Sequence, residues 1–173
     1  WQLLEIEQHS KMKDYVKDLN YMYKDEKSLY ELDNTYKGFD FIDPNNKDQS
    51  IITLMRLSKN PKDFIIAVLN FTPNVYYDYK VGVPYEGVYE EILNSDNEKY
   101  YGSNQTMADA ELVSVDEKWH NKPYHITIKV PPLGATFIKL KREKVKKDVV
   151  DEEIEISVKE NTDTVGEKFS INV

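Results

Sequence analysis

The chain has 173 residues, 40% hydrophobic and 31% charged, with a formal net charge of -8. This composition can bury one ordinary domain plus an appendage, excludes disorder throughout, and argues against a broad nucleic-acid or anionic-membrane surface, which needs a basic face. With no cysteine there can be no disulfide, thiolate nucleophile or zinc–thiolate site, and no apolar run approaches the ~20 residues of a membrane helix.

The first residues, Trp1-Gln2-Leu3-Leu4-Glu5, lack an initiator Met and the basic-then-apolar signature of a secretory signal. The expectation is a start inside a longer, cytoplasmic protein, in which the glycosylation patterns at Asn70 and Asn104 are chance matches. Residues 9–33 read as one helix, with Ser10 as N-cap. Met12, Tyr15, Val16, Leu19, Met22, Tyr23, Leu29 and Tyr30 fall near a 3.6-residue stripe. Gly38 marks a stop, and Asp43-Pro44-Asn45-Asn46 reads as a turn.

From there the period changes to two. Ile51–Leu57 and Phe64–Leu69 read as strands around a turn at 59–63. The second is apolar on both faces and should lie centrally in a packed sheet. Tyr77–Val81 and Val88–Leu93 alternate, and residues 94–109 read as loop. Leu112–Val115, Tyr124–Val130 and Ala135–Leu140 complete the set, with Ile126, Ile128 and Val130 on one face. Many short strands between turns predict an antiparallel β-sandwich. A charged linker follows, and alternation around Ile154–Val158 and Phe169–Val173 predicts a terminal β-hairpin.

Catalytic chemistry finds little purchase. His9, His120 and His125 are the only histidines; none sits in a nucleophile elbow, and His120 and His125 lack the i, i+4 spacing of a helical zinc pair. Glycoside chemistry needs two carboxylates ~5–9 Å apart, whereas adjacent Glu90 and Glu91 on a strand must point to opposite faces. Asp151-Glu152-Glu153 reads as solvated charge. No metal or cofactor site is expected. The 13 Tyr, 6 Phe and 2 Trp stand out, since flat rings stack on sugar faces. Most should serve packing, but Phe39, Phe41, Tyr85 and Trp119 fall in predicted loops and are candidates for contact.

Several motifs in succession carry a resemblance. Trp1-Gln2-Leu3-Leu4-Glu5, Lys17-Asp18-Leu19-Asn20 and Glu31-Leu32-Asp33 precede Tyr36-Lys37-Gly38-Phe39-Asp40-Phe41. Asn70-Phe71-Thr72-Pro73, Tyr79-Lys80-Val81-Gly82, Glu91-Ile92-Leu93-Asn94-Ser95-Asp96, Tyr101-Gly102-Ser103-Asn104 and Val130-Pro131-Pro132-Leu133 follow. Over residues 1 to about 141 this order resembles the C-terminal region of bacterial 1,4-α-glucan (glycogen) branching enzymes. The resemblance implies a parent with a (β/α)8 barrel and a C-terminal β-sandwich. That parent cuts an α-1,4 glucan and transfers the segment to a 6-hydroxyl, retaining configuration through a covalent glycosyl-enzyme. Its catalytic acids lie at the ends of barrel strands, upstream of Trp1 by family position, so none maps onto this chain. A barrel needs ~250 residues, and only residues 9–33 read as helix here.

The expected organisation is therefore a helical end of the barrel (1–43), an all-β sandwich of the α-amylase C-terminal type (44–141), and a linker with hairpin (142–173). Family position and loop chemistry single out Tyr36, Phe39 and Phe41 as residues touching either α-glucan or the barrel. The stripe on the helix should pack on the sandwich or on a second copy. An autonomous carbohydrate-binding module is the alternative.

Overall fold

The computed structural model describes residues 2–108 and 110–144; the expected hairpin lies outside the described residues. A 3-10 turn at Gln2–Glu5 leads into helix α1 (Glu7–Asp25). Eight strands follow: β1 (Phe39–Asn46), β2 (Ile51–Leu57), β3 (Phe64–Asn70), β4 (Tyr76–Val83), β5 (Gly87–Asn94), β6 (Leu112–Val113), β7 (Tyr124–Val130) and β8 (Ala135–Glu143). They form a six-stranded sheet in the order β1-β2-β3-β8-β5-β6 and a two-stranded sheet β4-β7. Every pairing between these strands is antiparallel.

The core follows from alternation. Met55 on β2, Phe64, Ile66 and Val68 on β3, and Ile138 on β8 face inward from the larger sheet; Val81 and Val83 on β4, with Ile126, Ile128 and Val130 on β7, meet them from the smaller one. In β3 only Leu69 escapes full burial, as its two-sided apolar run requires for a strand covered on both faces. Its second face, with Ile65 fully buried, lies in the sheet register of Arg56 and Lys139, the two side chains that hold residues 26–33.

The helix differs from its expected span. It begins at Glu7, with Ile6 rather than Ser10 at the N-cap, and it stops at Asp25. Glu26 is extended, at φ -96 and ψ 103. Tertiary contacts override helix propensity here. Glu26 pairs with Lys139 on β8, Ser28 is fully buried, and the Leu29 carbonyl accepts a hydrogen bond from Arg56 on β2 at 3.1 Å. The chain leaves the helix to make these contacts.

The loop motifs are structural ties. Buried Asn70 donates through Nδ2 to the carbonyls of Asn74 and Pro131, both at 2.8 Å, and its Oδ1 accepts from the Thr72 backbone and hydroxyl. It thereby joins the turn after β3 to the Pro131-Pro132 turn. Asp96 accepts from the Ser103 backbone N–H and hydroxyl and from the Gln105 N–H at 2.8–2.9 Å. A Cβ on Gly102 would lie 2.1 Å from the Asp96 carbonyl oxygen, so only glycine lets these two strands of loop approach.

Candidate functional site

The expected contact residues sit where the N-terminal segment enters the sandwich. Tyr36 opens a 3-10 turn, Tyr36–Gly38. Gly38 is required there because a Cβ would meet the Leu32 carbonyl oxygen at 2.4 Å. Phe39 and Phe41 do not lie in a loop, as the sequence suggests, but in β1, an edge strand. Residues two apart in a strand share a face, and the two rings meet edge to face with centres 4.7 Å apart. Pairing with β2 prevails over the loop-like composition: Phe39 is opposite Arg56 and Phe41 opposite Leu54. The same pairing carries β1 through Asp43-Pro44-Asn45-Asn46, expected as a turn, by way of irregular register.

All three rings remain open: Tyr36 is 86%, Phe41 51% and Phe39 38% exposed. Met12, Val16, Tyr23 and Tyr30 are exposed as well. Helix α1 buries no residue. Tyr15, Leu19 and Met22 are half-covered, and polar ties hold the helix to the 98–101 loop. Asp18 accepts from Lys99 and from the Tyr100 hydroxyl at 2.7 Å, and Tyr15 packs on Tyr100 edge-on at 5.2 Å. The expected stripe is thus partly satisfied by the sandwich, while Met12 and Val16 point to solvent.

The titratable groups are dispersed. Glu90 pairs with Lys141 at 3.1 Å. Glu91 instead accepts from Asn94 Nδ2 and the Met107 N–H, and burial pushes its carboxyl pKa up. The two acids do not flank one cleft. His125 is buried with Nδ1 3.2 Å from the Glu117 carbonyl. Burial pushes His120 down, opposed by nearby Asp43, and His9 is exposed on α1. Among the described residues no three His, Asp or Glu side chains gather as a metal would need.

Of the other loop aromatics, Tyr85 is half-buried against the core, its carbonyl accepting from the Tyr89 hydroxyl at 2.8 Å, so it serves packing. Trp119 is 38% exposed on a tight turn. Nothing in the sequence singles out Tyr77. It is 66% exposed because the β4–β7 register shifts between Tyr76 and Tyr79, and alternation alone does not reveal such a bulge.

This architecture has relatives. Residues 41–141 match the family model described as "Alpha amylase, C-terminal all-beta domain". The chain belongs to the alpha-amylase C-terminal all-beta domain family. It is also similar to proteins named 1,4-alpha-glucan branching enzyme GlgB. It is 46% identical to that of Halothermothrix orenii over 139 residues, 80% of this chain and 22% of the relative. It is 44% identical to that of Oceanobacillus iheyensis over 144 residues, 83% and 22%. With that of Clostridium perfringens the figure is 41% over 142 residues, 82% and 22%. The chain spans about a fifth of the length of these curated relatives. The match to the all-beta family starts at Phe41 inside β1 and ends inside β8, so α1 and the Tyr36 turn precede it. No helix among the described residues is long and apolar enough to cross a membrane.

Proposed function

We propose that this chain is the C-terminal, non-catalytic part of a cytoplasmic glycogen branching enzyme. Its parent cleaves α-1,4 glucan and transfers the segment to make α-1,6 branches, and the catalytic carboxylates belong to a barrel outside this chain. The identity with named branching enzymes supports the parent's activity. One observation carries the division of labour. A helix with no buried residue, bearing exposed Met12 and Val16, is joined to a completed sandwich. An apolar face of that kind needs cover. The barrel is its natural partner in the parent, and a second copy of the chain would substitute for it in isolation.

Tyr36, Phe39 and Phe41 mark the same junction. Packing against the barrel is the role their place in sequence between the exposed helix and the sandwich favours, and glucan contact is the second role. Replacing Phe41 with Ala in the whole enzyme separates them. Glucan contact raises the KM for amylose with the melting temperature unchanged, whereas barrel packing lowers the melting temperature. A change in neither removes Phe41 from both roles. The isolated chain should show no branching of amylose by iodine staining; measurable branching would overturn the reading.

A further inference from the structure

A shallow cleft of about 560 Å³ opens between the start of β4, the end of β1 and the turn that carries Trp119 and His120. Two exposed rings line it, Trp119 and Tyr77. The turn is tightly built. His120 and Asn121 both adopt left-handed backbone, at φ 47 and 60. The N–H groups of Trp119 and Lys122 bond reciprocally to each other's carbonyls at 3.1 and 2.9 Å. This is the signature of a two-residue hairpin turn that usually calls for Asn-Gly and is filled here by His-Asn. Gly82 lies directly beneath: a Cβ there would come within 2.2 Å of the Trp119 carbonyl oxygen. Lys80 stands 5.0 Å from the Trp119 ring centre and pairs with Glu117 at 3.0 Å. The Lys80 ammonium sits over one face of the ring, which is held at the surface and left 38% exposed.

The polar side of the cleft is ordered too. Asn46 Nδ2 donates to Gln49 Oε1 at 2.7 Å and to the Tyr79 hydroxyl at 3.3 Å. The Tyr79 hydroxyl donates to Asp43 at 3.2 Å, and His120 Nε2 lies 3.4 Å from the same carboxylate oxygen. Asp78 also faces the opening. A pyranose ring offers an apolar C–H face and a rim of hydroxyls that both donate and accept. The exposed Tyr77 ring and the uncovered part of Trp119, beside fixed amide, carboxylate and imidazole groups, meet both demands. A purely aliphatic ligand would strand the polar groups.

We infer that this cleft is a surface binding site for a short α-1,4-linked glucan segment, with Trp119 and Tyr77 as stacking platforms and Asn46, Gln49 and His120 as hydroxyl partners. It is separate from the Tyr36, Phe39 and Phe41 strip. The identity of the sugar rests on the reading of this chain as part of a glucan-acting enzyme. The site itself rests on the cleft.

The chain contains two tryptophans, so Trp1→Phe leaves Trp119 as the only reporter. In that background, titration with maltoheptaose should change Trp119 emission saturably. Tyr77→Ala should weaken the apparent affinity about tenfold, Tyr77→Phe should restore most of it, and Phe41→Ala should leave it unchanged. Circular dichroism confirms that each variant is folded, as expected for exposed Tyr77. A silent Trp119 at millimolar maltoheptaose overturns the inference, as does an equal response to cellohexaose or no effect of Tyr77→Ala. Failure of the branching-enzyme reading would show instead as absence of amylose branching by the full-length protein. That result is distinguishable from a silent Trp119 in a chain taken from an active enzyme.

Discussion

Strand β3 is apolar at six of its seven positions and buries all of its residues but Leu69, whereas α1 spreads seven apolar residues over nineteen positions and buries none. The difference lies in what surrounds them. β3 is paired on both edges, with β2 and β8, and its inner face meets β4 and β7 across the core. α1 rests on one short loop through Asp18, Tyr15 and Gln8. Most helical stability in proteins comes from tertiary packing of an amphipathic face, and α1 has little of it. The sandwich thus closes its core within this chain, while α1 keeps Met12, Val16, Tyr21 and Tyr23 exposed.

Substitutions can break that contrast, beginning with the core. Phe64 is fully buried, and Phe64→Ala should cost about 3–5 kcal/mol, read as a large fall in the urea midpoint. Arg56 comes next because it ties the segment to the sheet through the Leu29 carbonyl and Asp33. Arg56→Ala should cost about 1.5–3 kcal/mol, concentrated as faster amide exchange over residues 27–33. An even loss across all strands would show instead that the tie supports the whole sandwich.

A smaller effect is expected at Asp18. The hydrogen bond from Lys99, then that from the Tyr100 hydroxyl, holds its carboxyl below the ordinary value of 3.8. A carboxylate with a depressed folded pKa adds stability above its unfolded pKa and loses it as pH falls through the folded one. The tie between α1 and the 98–101 loop should therefore persist at pH 6 and loosen only below about pH 3.8. Since Asp18 and Lys99 are partly exposed, Asp18→Asn should cost about 0.2–1 kcal/mol, visible as shifts of α1 amide signals. Smallest of all, Met12→Ala should change the isolated chain by less than about 0.5 kcal/mol, because that side chain is 59% exposed. A larger loss in concentrated solution would indicate self-association.

Short apolar runs bounded by turns were legible in the sequence. Ile51–Leu57 and Tyr124–Val130 have the expected bounds, the second by alternation of Ile126, Ile128 and Val130, since a period of two needs no knowledge of distant partners. The helix end was not, because Glu26, Ser28 and Leu29 are positioned by Lys139 and Arg56 from distant parts of the chain. Nor was the strand identity of Phe39 and Phe41, whose neighbours Gly38, Pro44 and Asn45 read as turn chemistry while pairing with β2 decides the backbone. Tyr36, Phe39 and Phe41 were identifiable as exposed aromatics; that Phe39 and Phe41 share one face required the register. The Trp119 cleft depends on a bulge in β4 and on close seating over Gly82, and neither leaves a local pattern.

We propose that the N-terminal segment is completed by the rest of the parent, whereas the sandwich closes its core within this chain. Amide hydrogen exchange compared between this isolated chain and the full-length branching enzyme in which we place it tests this most directly. The account predicts a strong gain of protection in the full-length protein over 7–25 and 36–41, with little change in β3 and β7. Equal protection of α1 in both, or a gain confined to the sandwich, would contradict it.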